Sequence, residues 1–299
     1  MNTVAVITRT KDRPIFLRRC ANDLVNQRFP GLCWVIVNDG GEPDPVEDTS
    51  AYARNHGLNC VVVHLRENMG VAEAANVGIR HSESEYIHLH DDDDSVEPGF
   101  YETMCGHLEQ DVKGRFGGVV CSTSRIDEKL VDTEILQISK YPLHHSRSAT
   151  HIADILTKNQ FSTISFVYRR ACLDTVGYYD SNLTVLEDWD FNIRFLMKFN
   201  IASIYNHLAN YHFRRNITGP LSQTVQNSMQ HELNAAVLRN NHFRAGFASV
   251  GDAMPGLVMT IGRNFQIQQG RLHEIQDHLR AEWTIKGMLK RISSRMRSL

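Results

Sequence analysis

The amino-acid sequence predicts an α/β protein with a mainly parallel, doubly wound central sheet flanked by helices and followed by a helical extension. Two observations carry this prediction. Short apolar segments alternate with helical segments over the first 120 residues, and strand-like segments stop after Ser222. We therefore expect an α/β domain at residues 1–222 and an α-helical C-terminal extension at residues 223–299.

Five segments are short, apolar and rich in β-branched residues, as is typical of strands buried on both faces. They are Val4 to Ile7, Cys33 to Val37, Cys60 to His64, Tyr86 to Leu89 and Gly118 to Cys121. Helical patterns lie between them, at Pro14 to Gln27 and at the alanine-rich Gly70 to Arg80. Strands and helices in this order predict right-handed crossovers between parallel strands.

The composition is that of a folded soluble protein, with 42% hydrophobic and 22% charged residues among 299. No apolar run approaches the roughly 18 residues that a membrane-spanning helix needs, and the first ten residues resemble a buried strand rather than a secretory signal. The six scattered cysteines exclude a zinc knuckle and a dense disulfide framework. We expect a cytoplasmic protein with reduced thiols.

Charge is divided unevenly along the chain. Residues 223–299 contain ten Lys and Arg against five Asp and Glu, so they carry +5, and residues 1–222 carry −7 of the net −2. Nucleic acid is not expected as a partner of the acidic domain, because phosphate binding needs a basic surface.

Polar segments follow each of the first four predicted strands. They are Thr8 to Arg13, Asn38 to Gly41, Arg66 to Gly70 and Asp91 to Asp94. Because the carboxyl ends of parallel strands meet at one edge of a sheet, we expect these segments to line one crevice, where such sheets bind ligands. Each segment alone is also compatible with a turn or a helix cap.

The four consecutive aspartates Asp91 to Asp94 directly follow an apolar strand. Adjacent carboxylates repel one another, so a bound cation is expected to stabilise them. Magnesium and manganese take oxygen ligands, usually one or two carboxylates together with substrate phosphates. The alternative is a solvated acidic loop. A P-loop, a GxG dinucleotide fingerprint and an EF-hand are excluded, because their glycines are missing.

A second acidic cluster, Glu187, Asp188 and Asp190, opens an amphipathic helix that we expect to run to about Phe199. Acidic residues in a first turn interact favourably with the helix dipole, which is a purely structural explanation. A carboxylate here is also suited to act as a general base, provided that it reaches hydrogen-bond distance of a substrate hydroxyl.

In their order and spacing these motifs resemble glycosyltransferase family 2, a group of inverting nucleotide-sugar transferases with a GT-A fold. The resemblance covers about residues 3–222. The matching segments are Val4 to Pro14, Val35 to Gly41, Asn68 to Gly78, Leu89 to Asp94 with Pro98, Phe166 to Arg170, Val176 to Asp180 and Glu187 to Asp190.

The resemblance implies a role for individual residues. Asp188 would be the catalytic base, with Glu187 and Trp189 on the acceptor side. Asp91 and Asp93 would be the two ends of a DxD motif that binds Mn²⁺ or Mg²⁺. Of the two, Asp93 is the residue expected to contact the metal directly. The residues implied in nucleotide-sugar binding are Thr8, Thr10, Arg13, Asp39, Asn68, Gly70, Asp92 and Arg214.

Three positions depart from the family pattern. Ala75 stands where an arginine is usual, Asn38 replaces a common aspartate, and Tyr211 to Asn216 matches the late segment near the diphosphate only loosely. These departures affect the contacts expected to the nucleotide-sugar donor and leave the expected type of reaction unchanged.

The resemblance implies sugar transfer from a nucleoside diphosphate sugar, with UDP as the expected nucleotide, to a saccharide or lipid-linked acceptor in surface polysaccharide biosynthesis. The rival classes are a nucleotidyltransferase, for which Lys11 alone is weak support, and a non-catalytic nucleotide-sugar-binding protein, which two intact acidic clusters disfavour. The choice of acceptor is expected to depend on Ser122 to Phe161, which shows no interpretable pattern.

From Thr284 to Leu299 the chain has five basic residues, no acidic one, and apolar residues between them. A basic amphipathic helix of this kind is suited to an anionic membrane surface, here the inner face of the membrane, or to a protein partner. The alternative is a terminal helix that packs on the core or in a dimer, and the sequence favours neither interpretation.

Overall fold

The computed structural model describes residues 3–27, 29–131, 134–144, 150–214, 221, 228–250, 261, 265 and 267–279. The chain forms two compact units, Met1–Ala236 and Val237–Leu299. The domain boundary after residue 222 and the basic helix from Thr284 to Leu299 lie outside the described residues and stay predictions.

The first unit is built on a nine-stranded sheet in the described part of the chain. Its strands are β1 (Val4–Thr10), β2 (Leu32–Asn38), β3 (Asn59–His64), β4 (Tyr86–Leu89), β5 (Ser95–Val96), β6 (Phe116–Val131), β7 (Glu134–His144), β8 (Phe166–Arg169) and β9 (Asn200–Arg214). The order across the sheet is β3-β2-β1-β4-β8-β6-β9-β5, and β7 pairs with β6.

Helices of the described residues lie between these strands, and α8 follows the last of them. They are α1 (Pro14–Val25), α2 (Asp44–Asn55), α3 (Val71–Arg80), α4 (Phe100–Glu109), α5 (Ile152–Thr157), α6 (Leu173–Val176), α7 (Glu187–Leu196) and α8 (Ser228–Val250). The predicted helices at Pro14 and Gly70 are confirmed. The helix α2 was not predicted, and α7 ends three residues before Phe199.

One half of the sheet is parallel, as predicted. The strand β1 pairs in parallel with β2 and β4, and β2 pairs in parallel with β3. Every residue of β2 and β4 is buried, because α1 to α4 cover the sheet and remove apolar side chains from water. The polar segments after β1, β2 and β4 therefore start from a rigid platform.

The other half of the sheet is mixed. The strand β8 is antiparallel to both β4 and β6, whereas β9 is parallel to β6. The predicted strand Gly118 to Cys121 is only part of the 16-residue β6, which continues into a hairpin with β7. The α/β fold class is confirmed; the first half of the sheet is parallel throughout, whereas in the second half the β6–β9 pair is parallel and the other pairs of the described strands are antiparallel.

Within the second unit, residues 237–250 and 267–279 are helical where described, as predicted. Leu272, Ile275 and Leu279 are each more than half exposed. No helix among the described residues is both long enough and apolar enough to cross a membrane.

Candidate active site

A cavity of about 350 Å³ opens where the ends of β1 and β4 meet the start of α7. All four aspartates of the first acidic cluster line it, as do Glu187 and Asp188 of the second, whereas Asp190 does not. The described lining residues are Arg9, Arg13, Val71, Asp91, Asp92, Asp93, Asp94, Asn159, Phe161, Ser162, Thr163, Thr184, Val185, Leu186, Glu187, Asp188, Tyr211 and His231. Of the four polar segments expected at one crevice, those after β1 and β4 line this cavity, whereas Asn38 to Gly41 and Arg66 to Gly70 do not.

Arginines contact the aspartates that follow β4. Arg9 forms an ion pair with Asp91. Arg13 lies 2.5 Å from Asp93 and 3.3 Å from Asp92, measured between guanidinium nitrogen and carboxylate oxygen. Arg214, at the end of β9, also pairs with Asp93. These cations offset the repulsion that four adjacent carboxylates impose. Arg9 is a site residue that the sequence analysis did not identify.

The environment separates the pKa values of the aspartates. Burial, together with the charge of neighbouring Asp93, raises the pKa of Asp92 to about 7 against the opposing effect of Arg13. Burial raises the pKa of Asp94 as well, together with the charges of Asp93 and Asp91. Burial acts in the same direction on Asp93, but Arg13 and Arg214 outweigh it and lower the pKa of Asp93. Asp93 therefore stays ionised, whereas its neighbours Asp92 and Asp94 take up a proton more readily.

The second acidic cluster begins α7 at the cavity wall. Leu186 has a φ of +65°, an uncommon conformation for a non-glycine residue, and the helix begins at the next residue. The Asp188 carboxylate accepts hydrogen bonds from the backbone N–H of Trp189 at 2.7 Å and from Asn159 Nδ2 at 2.8 Å. Glu187 Oε1 lies 3.1 Å from Arg9 Nη1. A favourable interaction with the helix dipole accounts for acidic residues in the first turn of α7. It does not account for the position of Glu187 and Asp188 at the wall of a cavity.

Burial raises the pKa of both carboxyls at the start of α7. The pKa of Glu187 rises to about 7, because burial, with the charge of Asp188 added to it, outweighs the opposing charge of Arg9. Burial also raises the pKa of Asp188 against the Trp189 N–H hydrogen bond, and Asp91 raises it further. A raised pKa brings a carboxyl towards the range in which a general base works at neutral pH.

Several predicted donor-binding residues shape the loops around the cavity. Thr10 donates a hydrogen bond to Asp92 Oδ2 at 2.7 Å. Asp39 accepts hydrogen bonds from the backbone N–H groups of Met69 and Gly70, at 2.6 and 3.1 Å. Gly70 has a φ of +87°, which favours glycine. Asp39 thereby fixes the loop that leads into α3.

Other predicted residues do not line the cavity. Thr8 is buried, and its hydroxyl accepts a hydrogen bond from Trp34 Nε1 at 2.8 Å. Trp189 is 2% exposed, and its indole donates to the carbonyl of Ile155. Asn68 is exposed. No observation tests ligand contacts at these positions, so their roles stay predictions.

The family departures have local explanations. Asn38 Nδ2 donates to the Gly41 carbonyl at 2.8 Å, and Asn38 Oδ1 accepts from the Gly41 N–H at 3.0 Å. An amide can do both, whereas an ionised aspartate only accepts. Ala75 is fully buried in α3. Of the loosely matching segment, Tyr211 lines the cavity.

The carboxylate oxygens at the site are the kind of ligand that a hard divalent cation takes. Asp91 and Asp93 supply carboxylate oxygens at the cavity wall. Within the described ranges, no group of three or more His, Cys, Asp or Glu side chains is arranged to hold a metal. Magnesium is usually held by only one or two carboxylates, with substrate phosphates and water as the other ligands. Two carboxylates that face a ligand cavity meet that requirement.

Comparisons with known proteins place the chain among glycosyltransferases. Residues 4–176 match the family model Glycosyl transferase family 2. Uncharacterized glycosyltransferase YwdF of Bacillus subtilis is 29% identical over 173 residues, which cover 57% of this chain and 59% of that protein. The chain therefore spans less than two thirds of that relative's length.

Two solved structures share the fold. S. aureus TarS in complex with UDP-GlcNAc has a TM-score of 0.60 and 20% identity, covering 79% of this chain and 66% of that one. The mannosyltransferase PcManGT from Pyrobaculum calidifontis, in complex with GDP-Man and Mn²⁺, has a TM-score of 0.53 and 13% identity, covering 88% and 80%. At these identities the likeness establishes the GT-A-like α/β architecture.

Proposed function

Because the chain belongs to glycosyl transferase family 2, we propose that it transfers a sugar from a nucleoside diphosphate sugar to an acceptor hydroxyl, with inversion at the anomeric carbon. The observation that carries the proposal is that Asp188 lines the same cavity as Asp91 and Asp93. One carboxylate cluster is thus available for the acceptor and the other for the donor diphosphate.

The proposed reaction is a single displacement. The acceptor oxygen attacks the anomeric carbon, the bond to the diphosphate oxygen breaks, and the bonding electron pair leaves with the diphosphate. The acceptor proton goes to Asp188, whose burial raises its pKa and so its basicity. A general base typically contributes about 10² to 10⁴ in rate.

Positive charge beside the cavity suits a diphosphate leaving group. Arg9 and Arg13 both line the cavity and carry permanent positive charge. Asp91 and Asp93 are the residues that would hold Mn²⁺ or Mg²⁺, and such an ion, when bound, would offset the negative charge that develops on the diphosphate. Thr10, Asp39 and Asp92 would contact the nucleotide.

The substrates are proposed at the level of chemical class. UDP is the proposed donor nucleotide, supported by the UDP-GlcNAc held by the fold relative TarS. The proposed acceptor is a saccharide or lipid-linked hydroxyl in surface polysaccharide biosynthesis. Peripheral contact with the inner face of the membrane, or self-association, is proposed for the basic segment from Thr284 to Leu299.

A donor screen tests the function. The full chain is incubated with Mn²⁺ and UDP-glucose, UDP-galactose, UDP-GlcNAc or GDP-mannose, with a crude glycan and lipid extract as acceptor. Release of the nucleoside diphosphate supports sugar transfer. Release of pyrophosphate from nucleoside triphosphates would instead indicate a nucleotidyltransferase, and binding of a nucleotide sugar without turnover would indicate a non-catalytic protein.

A further inference from the structure

Asn159 lies between two polar residues of α7. Its Nδ2 donates to Asp188 Oδ2 at 2.8 Å, and its Oδ1 accepts from Asn192 Nδ2 at 3.1 Å. Asn192 follows Asp188 by four positions, so the two side chains lie on the same face of the helix. Asn159 comes from the loop after α5, and its amide closes a bridge across one helical turn.

Both neighbours of Asn159 place its amide in the same orientation. The two ends of an amide have nearly the same shape, so hydrogen bonding decides which end faces which neighbour. An ionised Asp188 carboxylate only accepts hydrogen bonds and so takes the NH₂ end of Asn159. Asn192 is 3% exposed and donates to Asn159 Oδ1, which occupies the other end of the amide. Asn192 thereby holds Asn159 in the orientation in which it donates to Asp188.

The acceptor capacity of Asp188 is almost filled by these contacts. Its Oδ1 accepts from the Trp189 N–H, and its Oδ2 accepts from Asn159 and, at 3.4 Å, from the Thr163 hydroxyl. An ionised carboxylate has about four lone-pair positions. About one position is left for a substrate hydroxyl in the cavity that Asp188 lines.

We propose that Asn159, oriented by Asn192, is a positioning residue that holds the Asp188 carboxylate in its ionised, proton-accepting state. The inference rests on the proposed function, because it matters for the reaction only if Asp188 takes the acceptor proton. Packing of the loop onto α7 is the alternative explanation for the contact.

Charged and titratable groups face Asp188 from each neighbouring described element. They are Glu187 on α7, Arg9 on β1, Asp91 after β4 and Tyr179 between α6 and α7. Burial and Asp91 raise the pKa of Asp188, whereas the Trp189 N–H, Arg9 and Thr163 lower it. A hydrogen bond donated by Asn159 likewise favours the ionised form.

The direct test is the pKa of Asp188 in Asn159→Ala and Asn192→Ala. The full chain is labelled with ¹³C at aspartate carboxyls, and Asp188→Asn identifies the signal. A hydrogen bond to a charged group contributes about 1.5 to 3 kcal/mol, so its loss should raise this pKa by about one unit or more. Among the described contacts, Asn192 has no side-chain hydrogen bond to Asp188 and reaches it through Asn159, so a rise in Asn192→Ala is expected through that bridge.

A matched control separates positioning from loop packing. Gln160 is the next residue of the same loop, and its amide donates to the carbonyls of Asp154 and Lys158. Gln160→Ala should leave the Asp188 pKa unchanged. Equal shifts in all three variants, or no shift in either asparagine variant, would overturn the proposal. If Asn159→Ala does not fold, Asn192→Ala alone decides between these outcomes.

Turnover distinguishes failure of this inference from failure of the proposed function. With the donor that the screen identifies, both asparagine variants should lower kcat and move the acid limb of its pH profile upward, with donor KM unchanged. If Asp188→Asn retains full transfer, the proposed base role is wrong, while the NMR titration still tests the bridge. If Asp188→Asn is inactive and the titration shows no shift, the positioning role alone is wrong.

Discussion

Arg9 and Glu187 form an ion pair, with 3.1 Å between Nη1 and Oε1. The same guanidinium contacts Asp91 and donates to the backbone carbonyl of Val71 at 3.0 Å. One residue of β1 therefore joins the aspartates after β4 to the start of α7 and α3. Asp91, proposed for the donor side, and Glu187, proposed for the acceptor side, share this cation.

Removing Arg9 is expected to destabilise the fold. In Arg9→Met, Asp91 and Glu187 lose their common cation, and breaking a largely buried pair costs about 3 kcal/mol or more. Urea unfolding measures the loss. Arg80→Met is the matched control, since Arg80 pairs with Glu73 at 2.9 Å but is 47% exposed. It should cost less than about 1 kcal/mol. Equal losses in the two variants would contradict the linking role of Arg9.

Glu187→Gln should change the pH dependence of transfer. A general base works only when deprotonated, so activity is lost as the pH falls through the pKa of Asp188. Glu187 competes with Asp188 for Arg9, whose charge lowers the pKa of Asp188, so its replacement by a neutral residue lowers that pKa. The acid limb of kcat should move down by about one pH unit. Glu73→Gln on α3 should leave the limb in place, and an upward or absent movement in Glu187→Gln would contradict the expected coupling.

Asp93→Ala should weaken nucleotide binding that depends on Mn²⁺. Asp93 stays ionised because Arg13 and Arg214 outweigh burial and lower its pKa, so it is suited to hold a cation. Calorimetric titration with UDP, with and without Mn²⁺, measures the effect. The exposed Asp48 on α2 provides the control Asp48→Ala. Unchanged enhancement by Mn²⁺ in Asp93→Ala would remove Asp93 from the metal site.

Two helix glycines should respond oppositely to alanine. A Cβ at Gly78 of α3 would lie 2.4 Å from Ile7 Cγ2 and 3.1 Å from Val37 Cγ2, whereas a Cβ at Gly106 of α4 would meet nothing within 4 Å. Overpacking typically costs about 1 to 3 kcal/mol, so Gly78→Ala should lower the Tm. Gly106→Ala should raise stability by up to about 1 kcal/mol through helix propensity. Two shifts of the same sign would contradict the close packing of α3 on β1 and β2.

The parallel half of the sheet could be predicted because β1, β2 and β4 are almost wholly buried and therefore mostly apolar, while the edge strand β3 is rich in valine. The segments after β1 and β4 converge at one cavity because these two strands are parallel neighbours, so their carboxyl ends meet at the same edge of the sheet, as the sequence predicted. The mixed half could not be predicted in the same way. The β6–β7 hairpin has exposed positions such as Ile138, at 62%, and its polar and apolar residues show no simple alternation.

The site was only partly predictable for a related reason. Asp91, Asp93, Glu187 and Asp188 stand in acidic clusters that sequence alone makes conspicuous. Asn159 lies in a segment without a pattern, and its relation to Asp188 arises only when that loop meets α7. Arg9 stands in the polar segment Thr8 to Arg13, but its partners Asp91 and Glu187 are 82 and 178 positions away along the chain. No local pattern could therefore connect Arg9 with them.

Asp188 is the proposed catalytic base. The decisive measurement compares Asp188→Asn with Asp190→Asn, two residues further along α7, where the carboxylate pairs with Arg194 instead of lining the cavity. Transfer and donor binding are measured for each full-length variant. Asp188→Asn should lose transfer by about 10² or more and keep its donor Kd, while Asp190→Asn keeps both. Full transfer by Asp188→Asn, or an equally large loss of donor affinity, would contradict the assignment.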